Sequence, residues 1–115
     1  MATKQATIDF ILDQLLGLDK IATRKMFGEY ALYYQNKVVA LVCNDTLFVK
    51  ITAAGRDFAG EYYEEGFAYP GAKASLLIDE DRIECGDWLS ELIEITYNNL
   101  PEAKIKKNKK YEIKD

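Results

Sequence analysis

The segment from Arg24 to Lys50, RKMFGEYALYYQNKVVALVCNDTLFVK, constrains this chain more than any other part of it. Tyr30–Tyr34, Val38–Cys43 and Leu47–Ile51 are rich in β-branched and aromatic residues, the composition of strands. Two short polar breaks separate them, around Asn36-Lys37 and at Asn44-Asp45. Asn and Asp tolerate the positive φ of tight hairpin turns. The segment therefore reads as an antiparallel meander.

With two-residue turns at both breaks, period-two alternation sorts the side chains. One face carries Ala31, Tyr33, Val38, Ala40, Val42, Leu47, Val49 and Ile51. The other carries Tyr30, Leu32, Tyr34, Val39, Leu41, Cys43, Phe48 and Lys50. Neither is polar, as one face of a half-solvated sheet would be. Both are expected to be covered, by helices, a partner subunit or a ligand. Ala31, Ala40, Val42 and Val49 are small or β-branched and permit close helix packing, so the helices are assigned to their face. The face with Tyr30, Leu32, Tyr34, Val39, Leu41 and Phe48 is then an apolar patch larger than monomers usually expose. A two-fold homodimer centred on Leu41 is expected to bury it, with a short helix after Thr52 as the rival cover.

Helices are expected on both sides of the meander. Ile8, Ile11, Leu12, Leu15 and Leu16 follow the helical template, with Thr7 as N-cap and Gly17 at the C-terminal end. Residues 19–25 read as a link, Met26-Phe27 as a short strand and Gly28 as a bulge or bend. Thr52 is placed to cap a helix over about residues 53–59. Gly66 to Lys73 reads as a loop turning at Pro70-Gly71. Ser75–Asp79 reads as a strand, Glu80-Asp81 as an acidic turn and Arg82–Cys85 as a last short strand. Asp87 then caps a helix presenting Leu89, Leu92, Ile93, Thr96, Tyr97 and Leu100 on one face, with Trp88 in its first turn; Pro101 ends it. The fold class is α+β, with two layers and terminal helices packed on an antiparallel sheet. One domain is expected over residues 1–103, followed by a basic, unstructured tail over 104–115.

Charge bounds the partners. Residues 1–103 hold nine basic and seventeen acidic groups, while 104–115 hold six basic and two acidic. So acidic a body is unsuited to tracking phosphates, and duplex DNA binding by residues 1–103 is not expected. No apolar run is long enough to span a membrane, and the N-terminus lacks the apolar core of a signal peptide. A cytoplasmic location is expected. Cys43 and Cys85 are expected as buried, reduced thiols; an exposed one would open a redox reading.

Chemistry is sparsely signposted. The chain has no histidine, which removes the commonest general base and metal ligand. The Asp79–Glu84 run lacks the spacing of a calcium loop, and YPGAK lacks that of a phosphate loop. No cofactor or metal is expected. Arg24, Lys50, Arg56 and Lys73 flank the sheet and are candidates for an anionic ligand. Tyr30, Tyr34, Leu41 and Phe48 are candidates for a protein contact.

RKMFGEYALYY, KVVALVCNDTLFVK, GRDF, YPGAK and the late WLSEL together resemble the N-terminal domain of the TfoX/Sxy family, over about residues 8–101. Arg24, Met26, Phe27 and Gly28 match the family's opening motif; Leu47 to Lys50 and Arg56 match its later strand and arginine. The resemblance implies an α+β fold and a bacterial regulatory role. Full-length members co-activate transcription in natural competence and carry a second, helical domain; this sequence resembles the first domain standing alone. The resemblance implies no catalytic residues. A non-enzymatic domain acting through contact with an unidentified protein is the leading expectation, and a module for a small anionic ligand the alternative.

Overall fold

The computed structural model describes residues 3–26 and 28–100. Its elements are α1 (Gln5–Gln14), β1 (Ile21–Met26), β2 (Glu29–Tyr34), β3 (Lys37–Cys43), β4 (Thr46–Val49), α2 (Ala53–Ala59), β5 (Glu65–Phe67), β6 (Ala74–Ile78), α3 (Glu80–Ile83) and α4 (Gly86–Asn99), with a 3-10 turn at Gly60–Tyr62. The strands form one antiparallel sheet in the order β1-β2-β3-β4-β6-β5. Helices pack on it as a second layer. The expected α+β, two-layer architecture holds. Pro101 and the expected tail lie outside the described residues.

The meander is present, and its β3–β4 turn falls at Asn44-Asp45, with φ of 52° and 61°. The β2–β3 turn lies one residue earlier than expected, at Gln35-Asn36, so Lys37 opens β3 opposite Tyr34. That shift alone leaves the faces as assigned. A second irregularity does not. Tyr33 pairs with Val38, whereas Leu32 pairs with Ala40, so Val39 is an extra residue in β3. A one-residue bulge exchanges the two faces beyond it.

The expected faces are therefore corrected. Tyr30 and Leu32 stand beside Val42 and Ala40, and Tyr34 shares their side of β2. Leu47, Val49, Leu76 and Ile78 extend this face through β4 and β6. None of these nine side chains is more than 8% exposed. The helices lie against them: the Tyr30 hydroxyl donates to Gln5 Oε1 of α1 at 3.1 Å, and Tyr34 meets Tyr97 of α4 edge-on with ring centres 5.0 Å apart. Ile8, Ile11 and Leu15 from the α1 segment and Leu89, Leu92 and Ile93 from α4 complete the core. Each such side chain contributes about 1.5–3 kcal/mol by burial. The assignment of helices to one face is right for β3 and β4 and wrong for β2.

Other differences have local causes. Residues 21–26 are not a link but the outer strand β1; its largely exposed ATRK sequence, ending in two cations, suits a sheet edge that must not recruit another strand. Gly28, at φ 83°, makes the bend into β2. Helix α1 begins before Thr7, with Lys4 at the N-cap, and ends before Leu16, which falls off the apolar stripe and is exposed. Strand β5 was not expected. Arg82–Cys85 is not a strand: the Asp79 carboxylate accepts from the Arg82 amide at 2.9 Å and starts α3. Helix α4 opens one residue before Asp87, and its Trp88 stacks on Phe58 of α2 at 5.6 Å. One cap and one turn fall where expected. Thr52 Oγ1 accepts from the Gly55 amide at 2.9 Å to start α2. Gly71, at φ 86°, turns the β5–β6 loop, with the Ala72 amide on the Tyr69 carbonyl at 3.0 Å.

Candidate functional site

Pairing places Arg24, Met26, Ala31, Tyr33, Leu41, Cys43, Phe48 and Leu77 on the sheet face opposite the helices. Helices α1, α2 and α3 all contact α4, on the other side. The β5–β6 loop crosses this second face instead, bringing Ala68 and Tyr69 over Leu41. Gly66 makes room for that arrangement. A Cβ there would lie 2.8 Å from Leu77 Cδ1 and 3.1 Å from Phe48 Cε1.

The loop divides the face into two pockets that share Leu41, Ala68 and Tyr69. One, of about 490 Å³, is lined by Leu41, Phe48, Lys50 and Lys73 with Tyr69 and Gly71. The other, of about 430 Å³, is lined by Met26, Glu29, Leu41 and Cys43 with Tyr69. Met26 is 40% and Tyr69 55% exposed, and Leu41 is half-buried. The surface is thus an apolar groove with two exposed lysines, Lys50 and Lys73, lining one end. Among the described residues, no acidic one lines that end. At the other end the Glu29 carboxylate accepts from Thr3 Oγ1 at 2.5 Å and from the Asn44 amide at 3.0 Å.

The candidates chosen from the sequence are divided by this geometry. Leu41, Phe48, Lys50 and Lys73 come together. Arg24 shares their face but sits on the outer strand, its guanidinium 5.6 Å from the Tyr33 ring centre. Arg56 is on α2, 4.8 Å from the centre of Tyr63. The four cations therefore do not line one pocket. Tyr30 and Tyr34 belong to the helix-covered core, though Tyr30 also borders the smaller pocket, so the six-residue dimer face read from the sequence is not one face. Met26, Cys43 and Tyr69 were missed as site residues. The signal for Tyr69 was the YPG turn, which carries the β5–β6 loop back across the sheet.

Cys43 is buried and Cys85 is exposed, a correction to the expectation that both are buried. Burial, and then the nearby Glu29 carboxylate, push the Cys43 thiol above its ordinary value. It is held protonated, which is the wrong form for a nucleophile.

A six-stranded antiparallel sheet with helices on one side and a loop-crossed groove on the other defines a small two-layer α+β domain. Residues 13–100 match the TfoX N-terminal domain, and the chain belongs to that family. It is also 38% identical over 109 residues to an uncharacterized 12.7 kDa protein in the trpE 5′ region of Spirochaeta aurantia, covering 95% of this chain and 93% of that protein.

Proposed function

We propose that this chain is a non-catalytic regulatory domain that acts by holding another protein against its loop-crossed sheet face. The observation that carries this reading is the apolar strip of Met26, Leu41 and Tyr69, which lies over the buried Phe48 on the side of the sheet away from the helices. Apolar surface of this kind marks contact sites. Membership of the TfoX N-terminal family supports a regulatory role, in transcription and in the bacterial cytoplasm, because that is what the family resemblance implies. The absence of histidine from the sequence favours contact over catalysis. The excess of acidic groups in residues 1–103 argues against a role for them in gripping duplex DNA.

Two observations favour other occupants of the same face. The extent of the strip favours a second copy of the chain, as a two-fold dimer. The presence of Lys50 and Lys73 in the lining of one pocket favours a small anion. Cross-linking in the host cell, followed by affinity capture and mass spectrometry, separates the readings when the parent is compared with Leu41→Glu. A partner protein captured by the parent and lost from the folded variant is the expected result. Identical captures from both would overturn the reading.

A further inference from the structure

We propose that the segment held on this face is an acidic, apolar peptide stretch of a partner protein. Its carboxylates meet Lys50 and Lys73 while its apolar side chains rest on Leu41 and Tyr69. This inference rests on the contact reading above and names the chemistry of its partner.

Charge placement is the first argument. Residues 57–103 hold twelve acidic groups and only two basic ones, Lys73 and Arg82. Arg82 lies 4.0 Å from the centre of the Tyr62 ring. Lys73 lines the groove, beside Lys50. Among the described residues, the most acidic part of the chain therefore contributes a cation, and no carboxylate, to this pocket. Glu29, at the far end, is already engaged by Thr3 and Asn44. A positive site within a negative surface selects against most neighbours and for an acidic one, through encounter rate and register more than raw affinity.

Shape is the second argument. The two pockets, of about 490 and 430 Å³, lie on either side of Tyr69 and meet at Leu41. That arrangement suits successive side chains of an extended or helical segment rather than one compact molecule. The rival occupants fit the charges less well. A second copy would bring the same surface to the contact, with Glu29 as the one carboxylate among the described residues lining the two pockets. Duplex DNA would meet too few cations on too acidic a body.

The test is selection of a random 12-residue peptide library, displayed on phage, against the full-length protein, with counter-selection on Leu41→Glu. Enriched peptides are expected to be rich in Asp or Glu alternating with Leu or Phe. For one synthesised peptide, fluorescence anisotropy should show at least about tenfold weaker binding to the Lys50→Glu/Lys73→Glu double variant. Arg56→Glu, one charge reversal off the face where the double variant has two on it, should alter it less than about twofold. Circular dichroism checks that each variant is folded. Enrichment of neutral or basic peptides that still depends on Leu41 would overturn the acidic partner and leave the contact face standing. Acidic peptides that bind the double variant equally would place their binding elsewhere, on the lysines of residues 104–115, and would also overturn it. Displacement of the peptide by millimolar octanoate at no cost to its charge dependence would reassign the groove to small carboxylates. Enrichment indifferent to Leu41 would sink both the inference and the reading beneath it. Light scattering that shows a dimer dissociated by Leu41→Glu would make the occupant a second copy.

Discussion

The Lys37 ammonium donates to the carbonyl oxygens of Tyr97 and Leu100, at 3.0 and 2.9 Å, and lies 4.4 Å from the centre of the Tyr97 ring. Helix C-termini leave carbonyls unsatisfied and carry partial negative charge. Helix α4 has no basic residue in its own last turn. A lysine at the start of β3, 60 residues earlier than Tyr97, supplies the missing cation and ties the helical layer to the sheet. The cost of burying the charge is offset by two carbonyl acceptors and an aromatic face.

Replacing Lys37 with Met keeps much of the stem and removes the donors. The two carbonyls then lose their partner. Lys37→Met is expected to lose about 1–3 kcal/mol of stability. The measurement is a lower urea midpoint at unchanged slope. A midpoint equal to the parent's would mean that water caps α4 just as well.

The bulge at Val39 makes a sharper claim, because it decides which Leu is core. Leu32 is fully buried beneath the helices and Leu41 is half-buried on the other face. Leu32→Ala should cost about 2–5 kcal/mol. Leu41→Ala should cost about 1 kcal/mol, as a partly exposed side chain gives up less apolar contact. The reverse ranking in urea titrations would mean the register is wrong.

Much of the fold was legible because local chemistry agreed with the final structure. The Asn44-Asp45 turn, the Thr52 cap and the buried stripe of α4 each needed only neighbours in sequence. The faces of β2 were not legible, because one extra residue in β3 reverses them and a valine there looks like any other strand residue. β1 was missed for a related reason. An edge strand with Arg24 and Lys25 has no apolar alternation to announce it. The register moved two of the eight candidates, Tyr30 and Tyr34, to the helix side, with Tyr30 still bordering the smaller pocket. Lys50 and Lys73 were chosen only as flanking charges, and it took the β5–β6 loop to bring them together.

Close approach of two helix ends predicts a contrast between two glycines. A Cβ on Gly86, at the start of α4, would lie 2.9 Å from the carbonyl oxygen of Gln14, the last residue of α1. Backbone cannot move aside as a side-chain tip can. Gly86→Ala is expected to cost about 1–3 kcal/mol through overpacking. A Cβ on Gly17 meets nothing within 4 Å, so Gly17→Ala should change stability by less than about 1 kcal/mol. Thermal unfolding of the two variants side by side checks this; equal shifts would contradict the tight packing at Gly86.

The two thiols should differ in reactivity. Cys85 is exposed, whereas Cys43 is buried and its thiol is raised by burial and then by Glu29. Reaction needs the thiolate and access to it. An aromatic disulfide reagent at neutral pH should titrate one thiol rapidly in the native protein and the second only on unfolding. Cys85→Ser should abolish the rapid phase. Two rapid thiols would mean that the β5–β6 loop leaves Cys43 open to solvent.

Asp45 predicts how stability responds to acid. Its Oδ1 accepts from the Lys4 amide and from Thr7 Oγ1, each at 2.8 Å, so a residue of the β3–β4 turn caps the first turn of α1. The Lys4 amide first, and the Thr7 hydroxyl second, hold its carboxyl below the ordinary value of 3.8. Folding therefore favours the charged form, aided by the positive end of the helix. The stabilisation is complete above the ordinary value and is lost as pH falls through the lower, folded one. Urea midpoints of the parent should drop more between about pH 6 and pH 2.5 than those of Asp45→Asn, which keeps the turn's tolerance of positive φ without the charge. Asp45→Gly serves as a second control, since its backbone also accepts the φ of 61° found here. It should share the shallower pH response of the Asn variant. Parallel pH profiles for all three proteins would show that the carboxylate does not cap α1 in solution.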